Sequence, residues 1–307
     1  MISLSSVLVD VDALARDQSA LAHAKDLAVR CGARLKIVDV LPWVPPSARH
    51  FVTAVYEQEL VEHRIGRLQS LAARVLGVEV TTKLLRGRPA TALIREVLAA
   101  GHDLLVRSHA RDLADQSKPY GAVDMELLRV CPCPVWLIGQ RPSPHTPWRL
   151  VAAINPSPDD ETEQQLNLMV VAWALMLKDI TGADLTLLHA WTVFGGSVLR
   201  SRLPKHEFDE YVETARRTAE DAMAAFTKPL ADRLNGVTVE LVEGEPEGAI
   251  SHFVDRKGVD LVVMGTVARS GIPGLVMGNT AERVLQRLRG SVLAVKPPGF
   301  FSPVEPR

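Results

Sequence analysis

The sequence predicts an α/β fold with two tandem, doubly wound domains, each built on a five-stranded parallel sheet. Short continuous apolar runs alternate along the chain with amphipathic stretches of helical period, which is the order of a parallel sheet with crossover helices. The same order occurs twice in 307 residues, on either side of a stretch rich in proline and polar residues at 139–147, which we interpret as a linker. We therefore predict one domain over residues 1–140 and a second over residues 148–300.

In the first half of the chain, the apolar runs and their turn residues predict five strands and four helices. Cys31–Gly32 ends the first helix, and Pro89 is well placed in the first turn of the third. The predicted strands cover 6–12, 34–41, 78–85, 103–106 and 134–138, and the predicted helices cover 20–30, about 47–76, 88–101 and 125–130.

The second half repeats this order, and local details recur as well. Gly87–Arg88–Pro89 in the first half has a counterpart in Gly244–Glu245–Pro246. A repeat of this length indicates two parallel-sheet domains rather than a solenoid. The predicted strands cover 149–155, 184–190, 237–242, 260–264 and 291–295, and the predicted helices cover 162–181, 207–234, 248–256 and a last helix from about 281.

The composition argues against several classes of function. Hydrophobic residues make up 47% and charged residues 23% of the chain, and the net charge of −1 argues against a dominant role on DNA, RNA or anionic membranes. The longest apolar stretches are too short to span a membrane. Three cysteines suit no disulfide framework and the N-terminus lacks a signal-peptide pattern, so we expect a cytoplasmic, soluble protein.

The stretch 261–282 contains the strongest candidate for a functional site. A predicted strand is followed at once by Gly265, a long glycine-bearing loop, and then Gly278–Asn279–Thr280 at the start of a helix. Glycines allow close approach of the backbone, and the N–H groups and dipole of a helix N-terminus favour anions. The spacing from Asn279 to Glu282 also fits an ordinary capping box, and the length of the loop favours the ligand site.

Other motifs are weaker candidates. Cys131–Pro132–Cys133 lacks a second pair of metal ligands and is no CxxC motif, so we interpret it as the start of a buried strand and predict no metal site. Neither the hydrolase nucleophile elbow nor the P-loop is present, and no catalytic constellation is visible. Arg86, Arg88 and Arg107 either gather at the first crevice to attract an anion or are solvated at strand ends. The apolar segment 191–203 is either a binding surface or lid, or it packs against the other domain.

Taken together, these features resemble the universal stress protein family, in particular its tandem-domain members. The loop of that family runs Gly-x-x-Gly, nine residues, then Gly-Ser or Gly-Thr. Gly265 and Gly278 match this pattern, whereas Ala268 stands at the second glycine and Asn279 at the Ser or Thr. Thr280 follows and can supply a hydroxyl. The runs GNTAERVL and LLRVCPCPVW also resemble the family, and the likeness covers nearly the whole chain.

The resemblance implies Rossmann-like domains of the adenine nucleotide alpha hydrolase type and, as in some members, an ATP- or AMP-type ligand with Mg²⁺. In the first domain, Asp12 supplies the family's acid, but Arg107 stands where Gly265 would be, so that crevice is degenerate. In the second domain, the acid is replaced by Asn155, which would lie near the base or ribose. The nucleotide-binding residues implied are Asn155, Met264, Gly265, Ala268, Gly278, Asn279 and Thr280.

The first functional hypothesis is a stress-response protein that binds an adenine nucleotide or similar phosphate-bearing ligand in its second domain, with at most slow ATP hydrolysis. The alternative is an interaction or carrier module that binds an apolar or lipid-like ligand beside the 191–203 segment, and no nucleotide. The resemblance also implies that the domains pack through their last strands, 134–138 and 291–295, as an intrachain pseudo-dimer. A homodimer of the whole chain stays open.

Overall fold

The computed structural model describes residues 2–48, 50–109, 119–139, 148–157, 160–266, 277–288 and 290–306. These residues form two compact units. The first unit holds the described residues of 1–140 and 291–307, and the second holds those of 141–271 and 277–290.

Within the described ranges the chain forms ten strands and nine α-helices. The strands are β1 (Ser6–Asp10), β2 (Arg34–Leu41), β3 (Val80–Arg86), β4 (Leu104–Ser108), β5 (Val135–Ile138), β6 (Arg149–Ala153), β7 (Asp184–Trp191), β8 (Thr238–Glu243), β9 (Leu261–Gly265) and β10 (Ser291–Val295). The helices are α1 (Ser19–Cys31), α2 (Ala54–Ala72), α3 (Pro89–Ala100), α4 (Ala122–Val130), α5 (Glu161–Thr181), α6 (Gly196–Arg202), α7 (Lys205–Thr227), α8 (Pro246–Lys257) and α9 (Asn279–Arg287).

The first unit is a parallel sheet in the order β3-β2-β1-β4-β5. All five residues of β1 are buried, as expected for a central strand covered on both faces. β10 then adds to β5 in antiparallel register, with Leu293 opposite Trp136. The sequence predicted that these two strands pack together, and the structure shows them paired.

The second unit contains the parallel strands β9-β6-β7-β8. Its chain order reverses direction across the sheet between β6 and β9, just as the first unit reverses between β1 and β4. In such α/β sheets, a crevice opens at the carboxyl ends of the strands that flank this point. The α/β, Rossmann-like tandem fold predicted from the sequence is therefore confirmed.

Most elements lie within a few residues of their predicted bounds, and the exceptions have local causes. The helix expected over about 47–76 is shorter, because Pro46–Ala48 forms a 3-10 turn and α2 begins only after Thr53, whose side chain accepts a hydrogen bond from the Tyr56 N–H. The segment 191–203, expected to be a loop, contains the short helix α6. None of the helices in the described ranges is both long and apolar enough to cross a membrane.

Candidate functional site

A cavity of about 880 Å³ lies in the second unit, at the carboxyl ends of β6 and β9. Its walls come from the segment after β6, from β7, α7 and α8, and from the start of α9. Ala268, one of the predicted site residues, lies outside the described residues. The other six predicted residues all line the cavity: Asn155, Met264, Gly265, Gly278, Asn279 and Thr280.

The N-terminus of α9 forms one end of the cavity. Gly278 is the N-cap residue, and its carbonyl accepts the first intrahelical bond from the Glu282 N–H at 2.9 Å. The N–H groups of the next three residues, Asn279, Thr280 and Ala281, have no partner within the helix, as in any α-helix. All three residues line the cavity. The arrangement presents unpaired helix donors to whatever occupies that space.

The alternative interpretation of this helix start, an ordinary capping box, is wrong. Asn279 is the first helical residue rather than the cap, and no side chain caps the helix. One amide at this turn is already used, because the Gly278 N–H donates to the Thr266 carbonyl at 3.1 Å. Met277 is only 2% exposed and is not part of the cavity wall, so its side chain leaves the space open.

Gly265 has a packing role that the sequence did not indicate. A Cβ at this position would lie 2.7 Å from Cγ of Leu166, a distance that real Cβ atoms do not show. Leu166, on α5, is buried and also lines the cavity. A side chain at position 265 would therefore overlap that of Leu166, and one of the two would have to shift.

A carboxylate that sequence reasoning missed lies beside Asn155. Asn155 Nδ2 donates to Glu163 Oε1 at 2.9 Å, and Glu163 lines the cavity from the first turn of α5. Asn167 fixes the backbone of Asn155 with two bonds, from the Asn155 N–H to Asn167 Oδ1 at 3.2 Å and from Asn167 Nδ2 to the Asn155 carbonyl at 2.7 Å. The acid absent at position 155 is thus supplied eight residues later, and the run Glu161–Thr162–Glu163 was the only signal for it.

His189, on β7, adds a polar group to the same wall. Its ring is buried, and Nδ1 lies 3.2 Å from the Ile154 carbonyl oxygen. Burial lowers the pKa of His189, so the neutral ring is favoured. A neutral ring that donates from Nδ1 keeps Nε2 as an acceptor.

Another part of the wall comes from α7, which contributes three alanines, two threonines and Tyr211. Trp191 and Val193 form a buried cluster with Ala219 of α7, and the Tyr211 hydroxyl donates to the Phe194 carbonyl at 3.1 Å. The sequence left open whether 191–203 is a binding surface or lid or packs against the other domain. Trp191 and Val193 are buried beside α7 of their own unit. Phe194 remains 88% exposed. The residues of α7 that line the cavity are Tyr211, Thr214, Ala215, Thr218, Ala219 and Ala222.

The equivalent crevice of the first unit is occupied by an ion cluster. Arg107 pairs through Nη1 with Asp10 and through Nε with Asp124, the latter at 2.9 Å. Burial raises the pKa of Asp10 to about 6, against the opposing attraction of Arg107. An arginine held between two buried carboxylates fills this crevice with protein groups.

The strand register corrects the equivalence proposed for Arg107. Arg107 lies opposite Asp10 on β1, as Met264 lies opposite Ala153 on β6. Ser108, and not Arg107, is therefore the counterpart of Gly265. The aspartates directly before the two strands, Asp103 and Asp260, give the same equivalence of Ser108 and Gly265.

Asp12 does not join the ion cluster. Its side chain is 60% exposed, and Oδ1 accepts a hydrogen bond from the Leu14 N–H at 3.0 Å. Arg86 pairs with Glu57 at 2.7 Å. Of the three arginines considered at this crevice, the contacts place Arg107 in the buried cluster and Arg86 in an outer ion pair.

Two parallel α/β sheets, each with a crevice at the point where strand order reverses, define a tandem protein of the Rossmann-like class. The model of the universal stress protein family matches residues 4–139 and 158–296. The chain belongs to the universal stress protein family and carries two of its domains.

Known relatives share this tandem organisation over their full length. Universal stress protein E of Escherichia coli (strain K12) is 30% identical over 318 residues, which cover 99% of this chain and 98% of the relative. Universal stress protein E of Photorhabdus laumondii subsp. laumondii is 27% identical over 315 residues, covering 99% of both chains. The predicted likeness to tandem-domain proteins of the universal stress protein E type is confirmed.

Solved structures show the same fold. A functionally unknown protein from Pseudomonas aeruginosa PAO1 superposes with a TM-score of 0.70 at 24% identity, over 96% of this chain and 93% of that one. A universal stress protein from Archaeoglobus fulgidus DSM 4304 superposes with a TM-score of 0.63 at 16% identity, over 95% of this chain and 96% of that one.

Proposed function

We propose that this universal stress protein binds an adenine nucleotide or similar phosphate-bearing ligand in its second unit, and that it acts in the stress response through binding rather than catalysis. The observation that carries the proposal is the N-terminus of α9, where Asn279, Thr280 and Ala281 line a cavity of about 880 Å³. Unpaired helix donors and the helix dipole together favour a phosphate group there.

The remaining polar groups of the cavity suit the nucleoside part of such a ligand. Glu163 and Asn155 form a hydrogen-bonded pair beside the end of β6, where carboxylate and amide oxygens can accept hydrogen bonds from ribose hydroxyls. His189 offers a neutral ring nitrogen for the base. If Mg²⁺ accompanies the nucleotide, it would neutralise phosphate charge, and we assign no protein ligand to it.

The first unit is not proposed to bind the same ligand. Its crevice holds the Asp10–Arg107–Asp124 cluster, and a phosphate would face two buried carboxylates there. Like charges brought together in a buried site are strongly unfavourable. We therefore expect one nucleotide for each chain.

We expect ATP hydrolysis to be slow or absent. The donors at α9 bind phosphate in its ground state, and binding the ground state as tightly as the transition state does not accelerate a reaction. The buried, neutral His189 already uses Nδ1 toward the Ile154 carbonyl. Turnover with ATP should be measured beside binding.

A second candidate is an apolar or lipid-like ligand, and the α7 wall favours it. Trp191 and three alanines of α7 present apolar surface to the cavity. Such a ligand would occupy the same space as the nucleoside, so the two candidates compete.

Calorimetry of the full chain with ATP and Mg²⁺, followed by mass spectrometry of the purified protein under native and then denaturing conditions, separates the candidates. Saturable nucleotide binding with one site per chain supports the first. A co-purified lipid-like mass without nucleotide binding supports the second. No heat at millimolar nucleotide, with the protein folded, would overturn the first proposal.

A further inference from the structure

The first unit contains a pair of thiols in contact, Cys131 and Cys133, which belong neither to the Arg107 ion cluster nor to the cavity of the second unit. Cys131 follows the last turn of α4, and Cys133 precedes β5. The two Sγ atoms are 3.7 Å apart. Cys131 is 0% and Cys133 7% exposed, so both cysteines are buried in packed protein.

A lysine lies next to these thiols. Lys296 follows β10 and its Nζ donates to two carbonyls at the end of α4, those of Leu128 and, at 3.2 Å, Arg129. Nζ also lies 5.0 Å from the centre of the Phe300 ring. These contacts cap the C-terminus of α4 and hold the amine at one position in the interior.

The surroundings of the pair shift the pKa values of Cys133 and Lys296. The hydrogen bond to Cys131 and burial raise the pKa of Cys133, and Asp103 acts in the same direction. Burial lowers the pKa of Lys296 to about 7, whereas the charge of Cys131 opposes that shift and Arg129 adds to it. Burial and the neighbouring sulfur therefore both favour the protonated form of Cys133.

We propose that Cys131 and Cys133 are an oxidisable dithiol, a modification site at which a peroxide closes a disulfide, with Lys296, held at the end of α4, as the positioning residue beside the pair. The contact between the two sulfurs carries this inference, because to form a disulfide they need to close only from 3.7 Å to about 2.05 Å. The inference is independent of any ligand in the second unit.

The reaction balances with hydrogen peroxide as the oxidant. The Cys131 thiolate attacks one peroxide oxygen, the O–O bond breaks, and the departing hydroxide takes up a proton to become water. The Cys133 sulfur then attacks the Cys131 sulfenic acid, the S–S bond forms, and the S–O bond breaks as the hydroxyl leaves with the Cys133 proton as water. Two thiols and one peroxide give one disulfide and two waters.

The test treats the reduced full-length chain with hydrogen peroxide, blocks the remaining thiols with an alkylating reagent after unfolding, and weighs the peptides. The expected product is a peptide spanning 131–133 that has lost two hydrogen atoms, while Cys31 is alkylated. A Cys31→Ser variant is the matched control and should give the same product. Sulfonate at either sulfur of the pair would overturn the proposal. So would chains cross-linked through Cys31 in place of the 131–133 product, or alkylation of both Cys131 and Cys133 after the peroxide treatment.

Two further variants test the assigned roles without requiring the disulfide. In Cys133→Ser, the oxidised Cys131 lacks its partner and should be trapped as a sulfenic acid by a dimedone-type probe. In Lys296→Met, which removes the positive charge beside the pair, oxidation should be slower by roughly tenfold. Equal rates in Lys296→Met and the parent chain, with circular dichroism showing both folded, would remove Lys296 from the site.

Discussion

Gly265 shows, at the scale of single residues, how one position can both pack closely against a helix and line a cavity. The side chain of Leu166 occupies the place of a Cβ on Gly265, and both residues line the cavity. The family-like glycine could be expected from the loop motif. Its packing partner could not, because no periodicity in the sequence tells which leucine of α5 meets the end of β9.

Gly265→Ala should lower the free energy of unfolding by about 1–3 kcal/mol, because overpacking forces Leu166 or the backbone to shift. Urea unfolding measures the change. Gly66→Ala in α2 is the matched control, since an added Cβ meets nothing within 4 Å there, and it should be neutral or stabilise by about 0.5–1 kcal/mol. Adding Leu166→Ala to Gly265→Ala should cost less than the sum of the single changes, and simple additivity would contradict the overlap.

Asp10 belongs to the same scale and gives a pH dependence. Its pKa rises from 3.8 to about 6 in the folded chain, so between these values the folded state holds a proton that the unfolded chain has lost. The free energy of unfolding should therefore fall as pH rises from about 4 to about 6, by on the order of 2–3 kcal/mol from this group.

Asp10→Asn should remove that part of the slope in urea unfolding measured at several pH values. Asp12→Asn is the control, because the side chain of Asp12 is 60% exposed and lies outside the Arg107 cluster. Parallel pH profiles for Asp10→Asn and the parent chain would show that burial does not govern this carboxyl.

The start of α9 is the element on which the proposed function depends. Its N-cap residue, Gly278, has φ −62° and ψ 138°, a conformation that a following proline accepts. Proline is favoured at the first helical position and lacks an N–H group. Asn279→Pro should therefore leave α9 intact while removing one donor from the cavity.

Asn279→Pro should weaken ATP binding about tenfold or more by calorimetry, the loss of about one charge-assisted hydrogen bond. Asn279→Ala removes the side chain but keeps the backbone N–H, so it reports the contribution of the side chain alone. It should bind ATP more tightly than Asn279→Pro. Ala122→Pro, at the same position of α4 behind an extended Gly121, controls for the proline itself and should bind like the parent chain. Equal affinities for Asn279→Pro and Asn279→Ala would exclude the amide as a ligand.

The elements themselves were largely predictable, and the exceptions have local causes. The ends of α1 and α3 followed from Gly32 and Gly101, which both have positive φ values. The start of α2 is set by the cap at Thr53, and α6 begins after Gly195 in a segment whose two glycines favoured a loop. The loop motif predicted one end of the cavity. Glu163 and the α7 residues could not be predicted, because their place in the cavity depends on how α5 and α7 pack on the sheet.

For the molecule as a whole, the antiparallel pair of β5 and β10 is the distinctive connection of the first unit. β4 pairs with one edge of β5 and β10 pairs with the other, so β5 has no free edge. All five residues of β10 are buried. An apolar strand such as β5 is prone to associate with other chains when its edge is uncovered.

Leu293→Pro, in the middle of β10, should destabilise the chain by about 3 kcal/mol or more and promote aggregation, because proline disrupts an interior strand. Urea unfolding and size-exclusion chromatography measure the two effects. Thr238→Pro, at the first position of β8, is the milder comparison, since proline is tolerated where a strand begins. Unchanged stability and a monomeric profile for Leu293→Pro would contradict an interior role for β10.

The binding claim is tested most directly by the amide resonances of Asn279, Thr280 and Ala281 during a titration with ATP and Mg²⁺. The three signals should shift together and saturate, while that of Arg107 in the filled crevice stays in place. A folded spectrum in which these three signals do not move at millimolar nucleotide, or in which shifts concentrate around Arg107 instead, would contradict it.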